Sequence, residues 1–568
     1  MFAGALALLT SGAAPQPAVS ADPPWIVRAR GGLVASDSAH ASQAGLAMLR
    51  AGGNAIDAAV ATSFALAVTR PYSTGLGGGG FMIARFADGR VVVQDFRETA
   101  PSAATRDLFG NAAGLDPKGP PPSEVGHLAV GVPGLVAGRC QALARFGTVS
   151  LARALQPALR LAVSGFPVDA HYLENAGEAL EIYEAYPSLA AKLPYVYRVH
   201  LRNGKLPDPG TVLYQPELAH LLERLAEYGR DFFYGGAVAE AIVAAMQEHG
   251  GILTLSDLAD YEPVEREPLR STYRGYDLIL MPSPSSGGVA LAEALNVLET
   301  LPLASLARSD LGLAVHYQIE ALKHAMADRA RHLGDTPSAA DVAALLTSKA
   351  YAKDLAQRLM PDKVARPDTY GSVRLPDHGG TSHFCVVDRE GNVVVSTETI
   401  NTSFGSLAAI DEWGLILNNQ MDDFAVKPGE PNAYGLVQSE ANAVQPGRRP
   451  LSSMAPTIVL KDGKPFLLLG ASGGPRIISS VLNVLLSITD FGLSLEAAIT
   501  RLRPHHQWRP DTVCFDEEPA EELRDALLQR QHQLSGKRKS GVVQAILRDG
   551  EEWIGASDPR KGGRPAGD

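Results

Sequence analysis

Three stretches of the 568-residue chain place chemically capable residues at informative spacing. The first is LPDHGGTSHF at 375–384, where Gly379 and Gly380 run into Thr381 at the head of an alternating apolar run. A threonine hydroxyl is a weak nucleophile until a base sits beside it, and one available base is the threonine's own α-amine. That amine exists only once the Gly380–Thr381 bond is cut. Its reference pKa of about 7.7–8.0 suits general-base work near neutrality better than a carboxylate does. Two glycines tolerate the backbone geometry that would bring the Thr381 hydroxyl onto the Gly380 carbonyl, and they keep side chains out of its way. The same stretch also reads as a plain flexible entry into a β-hairpin, and only downstream residues separate the two.

The second stretch, LLLGASGGPRIISSVLNVLL, holds Gly470-x-Ser472-x-Gly474 between a strand-like and a helix-like run. That is the context of a nucleophile elbow, with Asp490 and His505 following in hydrolase order and an HGG at 378–380 imitating an oxyanion loop. The pattern is loose in a chain with 56 glycines, and the preceding strands come in hairpins where an α/β-hydrolase needs parallel ones. The third, STGLGGGGFMIAR at 73–85, imitates a phosphate cradle. Its glycines follow a helix and precede a strand, so no helix N-terminus faces them, and close backbone packing explains them better. The pair His505-His506 lacks partners at metal-ligand spacing and reads as packed polar residues. Cys385 lies near Thr381 in sequence, but a small buried residue is the simpler reading.

These residues need elements to position them. SAHASQAGLAMLRAGGNAIDAAVATSFALAVTR reads as two Ala-rich helices broken at Gly52-Gly53, the second ended by Pro71. Four alternating pairs around glycine-bearing turns follow the β-hairpin pattern: FMIARFADGRVVVQDF, HFCVVDREGNVVVSTETI, TIVLKDGKPFLLLGAS and VQAILRDGEEWIGASD. They imply antiparallel pairing, and one sheet system is expected to gather them. Residues 134–360 read mostly as amphipathic helix, and 361–380 as a polar stretch without periodicity that ends at the candidate bond. Strands flanked by long helices make an α+β layered architecture.

Composition narrows the function classes. The chain is 45% hydrophobic and 20% charged, with mean hydropathy near zero, as a globular protein with a large core requires. A formal net charge of −11 without a basic block argues against a nucleic-acid partner. Three widely spaced cysteines, Cys140, Cys385 and Cys514, encode neither a disulfide framework nor a metal site. Residues 1–21 hold a short apolar run ending in AVSA before Asp22, the form of a signal peptide although Lys and Arg are missing near Met1. A periplasmic or secreted protein is expected, with no membrane span.

GGTSHF, TETINTSFG, GLILNNQMDDF, RRPLSSMAPTIV, GASGGPRI and the C-terminal ASDPRKGGRPAG, taken in order, resemble the γ-glutamyltranspeptidase (glutathione hydrolase) family. The resemblance runs from about Gly31 to Gly567. It implies the four-layer αββα sandwich of N-terminal-nucleophile hydrolases. It also implies a proenzyme that cuts itself between Gly380 and Thr381 into a large subunit, residues 22–380, and a small one, 381–568, held together as a heterodimer. Thr381 is similar to the family's autoprocessing residue and nucleophile, and Thr399 to the threonine that orients it. Arg97, Ser452 and Ser453 correspond to the residues holding the substrate α-carboxylate. Asn401, Gln420 and Asp423 correspond to those holding the α-amine, and Gly473 and Gly474 to the oxyanion donors.

KPGEPNAYGLV at 427–437 is similar to a lid loop, with Tyr434 at the gating position. The implied substrates are glutathione and other γ-glutamyl compounds, with water, amino acids or dipeptides as acceptors, and neither metal nor organic cofactor. The chemistry agrees, because a γ-glutamyl group presents a zwitterion that needs a guanidinium at one end and an acidic acceptor at the other. The rivals are a glutaryl-type β-lactam acylase of the same superfamily and a non-catalytic γ-glutamyl-binding protein.

Overall fold

The computed structural model describes residues 22–110, 118–365, 380–427 and 429–568. All four hairpins form, but they divide between two sheets instead of sharing one. The first sheet runs Ile26–Ala29, Glu552–Ser557, Val542–Asp549, Lys464–Ser472, Thr457–Lys461, Tyr276–Leu280, Leu269–Tyr273. The second runs Ala566–Gly567, Leu33–Ser36, Gly380–Val387, Val393–Asn401, Gly79–Arg85, Val91–Phe96, Val264–Arg266. The strand pairs in both are antiparallel.

The period-2 pattern explains why the sheets stack. Along Gly380–Val387, Phe384 and Val386 enter one core while Cys385 and Val387 enter the other, and Val34 is likewise opposed to Leu33 and Ala35. The first core joins the outer face of the second sheet to helices that include Ala39–Arg50, Ala55–Thr69 and Leu151–Ser164. The other joins its inner face to the first sheet and to the helices Gly287–Glu299, Leu311–His332 and Arg476–Thr489. A helix–sheet–sheet–helix sandwich results, with the central strands of both sheets buried on both faces.

Ala55–Thr69 is buried at every position, which its Ala-rich sequence permits, and Asn54 and Asp57 close a capping box at its start. The glycine cluster proves structural. A Cβ on Gly77, Gly78 or Gly80 would lie 2.2–2.3 Å from the carbonyl oxygens of Ile416, Thr399 and Thr397. Residues 134–360 are mainly helical as expected, but the sequence reading passed over the edge strands Val264–Arg266 and Leu269–Tyr273 and the strand Tyr276–Leu280 just inside the second of them. They are short, with exposed Glu265, Arg270, Thr272 and Asp277 set among half-buried residues, so no long apolar alternation marks them. Residues 1–21, His378 and Gly379 lie outside the described residues. No single helix among the described residues is long and apolar enough to cross a membrane.

Candidate active site

Thr381 is the second residue of the strand Gly380–Val387, buried at the end of the second sheet. Between Gly380 and Ser382 the register with Val393–Asn401 slips by a residue, a β-bulge that re-aims the facing strand end. Asn401, at φ +84°, occupies the left-handed region that asparagine tolerates better than most residues. The bulge brings Thr399 onto the peptide bond in question. Thr399 Oγ1 donates to the Gly380 carbonyl oxygen at 2.6 Å, and Thr381 Oγ1 lies 2.7 Å from that same oxygen and 3.4 Å from Thr399 Oγ1. Asn401 N–H donates to Thr399 Oγ1 at 2.8 Å, which leaves the Thr399 proton free for the carbonyl. Behind Thr381, the buried Lys561 donates to the Thr381 carbonyl at 2.7 Å and pairs with Asp37 at 2.6 Å.

The other predicted residues converge on the same cleft. Thr381, Thr399, Arg97, Asp423, Ser452 and Ser453 line it, together with Asn401, Gln420, Tyr434 and Gly474. Gly473 lines an adjoining cavity of about 250 Å³. Arg97, just past the strand Val91–Phe96, is fully buried and reaches the Pro450 carbonyl at 3.2 Å. Its guanidinium also bonds the Asp423 carboxylate, which accepts from Gln420 Nε2 at 2.7 Å. The two groups expected at opposite ends of a zwitterion therefore pair with each other. Opposite charges in a low-dielectric cleft neutralise one another, and a zwitterion would exchange this one pair for two. Asn401, expected at the amine end, turns its Nδ2 to the Asn419 carbonyl at 3.0 Å.

Gly473 and Gly474, at φ +120° and +58°, form the turn between the strand Lys464–Ser472 and the helix Arg476–Thr489. The helix's first N–H groups, from Arg476 and Ile477, are taken by their carbonyls. A turn at a helix N-terminus suits developing negative charge. Tyr434 closes the cleft. Its hydroxyl donates to the Asn401 carbonyl at 2.7 Å, and a Cβ on Gly474 would meet its ring at 2.7 Å.

Three residues were not legible as site residues. Glu98 is wholly buried beside Arg97, both carboxylate oxygens lack a hydrogen-bond partner, and burial pushes its pKa up to about 8. Arg329 and Lys561 come from a mid-chain helix and the chain end, where they read as ordinary basic residues. The three basic residues within ASDPRKGGRPAG were the one available signal for Lys561.

The rival constellations are not assembled. Asp490 bonds Tyr273 and Arg274, His505 bonds Ser479 and Gln507, and Ser472 Oγ sits 3.4 Å from Lys561. His506 pairs with Asp511, and no metal-holding group of three or more His, Cys, Asp or Glu occurs among the described residues. Cys385 is a core residue whose thiol burial holds well above its usual pKa.

A four-layer sandwich with a threonine at a strand head, its hydroxyl on the preceding carbonyl, defines the class as that of the N-terminal-nucleophile hydrolases. A solved cephalosporin acylase from Bacillus halodurans shares this architecture at a TM-score of 0.82 and 27% identity, covering 98% of this chain and 99% of that one. The chain belongs to the gamma-glutamyltranspeptidase family, whose pattern it matches over residues 41–568. It is 43% identical to a glutathione hydrolase proenzyme of Escherichia coli (strain K12), over 94% of this chain and 91% of that protein. It is 38% identical to an acylase ACY 1 proenzyme of Pseudomonas sp. (strain SE83), over 91% of this chain and 89% of that one.

Proposed function

We propose that the chain is a self-cleaving γ-glutamyltransferase and glutathione hydrolase with Thr381 as its nucleophile. The observation that carries this reading is the convergence of two threonine hydroxyls on the Gly380 carbonyl, in a cleft that also holds Arg97, Asp423 and the Ser452–Ser453 pair.

Maturation comes first. Thr381 Oγ adds to the Gly380 carbonyl carbon while Thr399 donates to its oxygen. The C–N bond breaks, the hydroxyl proton passes to the departing nitrogen, and an ester joins Gly380 to Thr381. Water hydrolyses that ester, giving a Gly380 carboxylate and a free Thr381 hydroxyl beside a new α-amine. Large and small subunits would then stay together, because both sheets interleave strands from before and after residue 380.

In turnover the α-amine takes the Thr381 proton as Oγ attacks the γ-carbonyl of a γ-glutamyl amide. Backbone N–H groups of Gly473 and Gly474 hold the oxyanion. The amide C–N bond breaks, the protonated amine leaves, and a γ-glutamyl ester remains on Thr381. Water converts it to glutamate, and an amino acid or dipeptide amine converts it to a new γ-glutamyl product. Arg97 with the serine pair would take the substrate carboxylate, and Asp423 with Gln420 and Asn401 the ammonium. Export to the periplasm or medium, directed by residues 1–21, belongs to the same reading.

A glutaryl-type acylase is the second reading, favoured by the likeness to the two acylases. Asp423 speaks against it, since a glutaryl group brings no ammonium to meet that carboxylate. Intact mass and N-terminal sequencing of the wild-type chain beside Thr381→Ala test the proposal. The expected result is two wild-type pieces, the smaller beginning Thr-Ser-His-Phe, and one uncut mutant chain. Faster turnover of γ-glutamyl- than glutaryl-p-nitroanilide is expected as well. A wild-type chain that stays whole after prolonged incubation would leave a binding protein instead, and a preference for the glutaryl substrate would leave the acylase.

A further inference from the structure

Arg329 lies in the helix Leu311–His332, is 1% exposed, and lines the cleft that holds Thr381. Its Nε donates to Ser286 Oγ at 2.9 Å and its Nη2 to Ser453 Oγ at 3.4 Å, while Nη1 has no hydrogen-bond partner. A guanidinium can only donate. Each serine oxygen it touches must therefore accept, which turns that serine's own proton elsewhere. Ser286 spends its proton on the Ser452 carbonyl at 2.5 Å, and its backbone N–H meets the same carbonyl at 2.8 Å. Ser452 Oγ accepts from Met454 N–H at 3.1 Å. Ser452 and Ser453 are thus both left with a hydroxyl proton to give.

Charge points the same way. Arg97 is offset by Asp423, and Glu98 beside it is held neutral by burial up to about pH 8. Arg329 makes no ion pair among the described residues, and the one carboxylate whose charge reaches it is Asp423, already paired with Arg97, so the cleft holds two guanidiniums to one charged carboxylate. Burying such a charge is costly unless an anion meets it.

Resting on the γ-glutamyl reading of the cleft, we infer that Arg329 is a positioning residue for the substrate α-carboxylate, fixing Ser452 and Ser453 as paired donors and supplying the charge that balances it.

The test compares γ-glutamyl-p-nitroanilide with 4-aminobutyryl-p-nitroanilide, which keeps the amine and lacks the carboxylate, on wild type, Arg329→Gln and Arg329→Lys. Loss of a charge-assisted contact should lower kcat/KM for the γ-glutamyl substrate by about 10- to 100-fold, mainly through KM. Turnover of 4-aminobutyryl should change less than about threefold, so the preference between the two substrates collapses. Self-cleavage needs no carboxylate and should proceed, which reports that the variant has folded. Equal losses on both substrates would assign Arg329 a purely structural role and overturn the inference. Where Arg329→Gln fails to cleave itself, Arg329→Lys decides, because lysine keeps the charge but lacks the rigid planar fork that spaces the two serines. A partial loss confined to the γ-glutamyl substrate supports the inference, and an equal loss on both substrates, or none, overturns it. Failure of the wild type to turn over γ-glutamyl-p-nitroanilide would instead refute the functional reading.

Discussion

Thr399 offers the sharpest separation of chemistry from scaffolding. Its hydroxyl donates to the Gly380 carbonyl at 2.6 Å and receives the Asn401 N–H at 2.8 Å. In the proposed maturation step that carbonyl oxygen becomes the oxyanion, which makes the Thr399 proton a preorganised donor where charge develops. Removing one such donor costs about 2.7–4 kcal/mol of transition-state stabilisation, or about 10²–10³ in rate. Thr399→Ala also leaves the buried Asn401 N–H without its acceptor, costing about 1–3 kcal/mol of stability. The two effects are measured apart. Self-cleavage is followed as the disappearance of the full-length band, and stability by denaturant unfolding in a Thr381→Ala background, where no cut intervenes. Thr399→Ser restores both bonds and should return both readouts close to wild type. Thr399→Ala that cleaves at the wild-type rate would refute the oxyanion role, and a cleavage defect that scales with the stability loss across further destabilising variants would reduce Thr399 to scaffolding.

Three more outcomes follow from the geometry. Arg139 and Glu398, both fully buried, pair beside the strand that carries Thr399, so Arg139→Met alone should cost about 3–5 kcal/mol. Arg139→Met with Glu398→Met should recover most of that loss in the same unfolding assay. Tyr434→Phe removes the bond to the Asn401 carbonyl and should raise KM about 2- to 10-fold, read from initial rates on γ-glutamyl-p-nitroanilide. Burial raises Glu98 from 4.5 to about 8, so between those values the folded state binds the extra proton and stability falls as pH rises. Glu98→Gln should flatten that fall and gain a few kcal/mol at pH 8–9, and a variant whose pH–stability curve matches wild type would refute the assignment.

Much of this was legible early, for local reasons. The hairpins announced themselves because a glycine turn and a period of two are written in neighbouring residues, as in Ala84–Val92 around Asp88-Gly89. The helices Ala39–Arg50 and Ala55–Thr69 were legible from composition and their glycine break. The residues that line the cleft were legible through their motifs, which sit on strand ends and tight turns whose backbone the sequence constrains strongly. The short strands of 264–280 were not, because pairing with a neighbouring strand, not their own pattern, makes them strands. Glu98 and Arg329 were hidden for a related reason: a charged residue looks solvated until the chain around it closes.

By itself the sequence determined the alternation that makes two-faced strands, the glycine-bearing turns that join them into hairpins, and a threonine placed behind a glycine pair. Each depends on residues within one turn or one strand of each other. Tertiary structure alone decided that the hairpins form two sheets, that Arg97 meets Asp423, and that Ser286, Arg329 and Ser453 join in one donor relay. Those contacts link segments far apart in the chain, and their strength depends on burial, which lowers the dielectric only once the sandwich has closed.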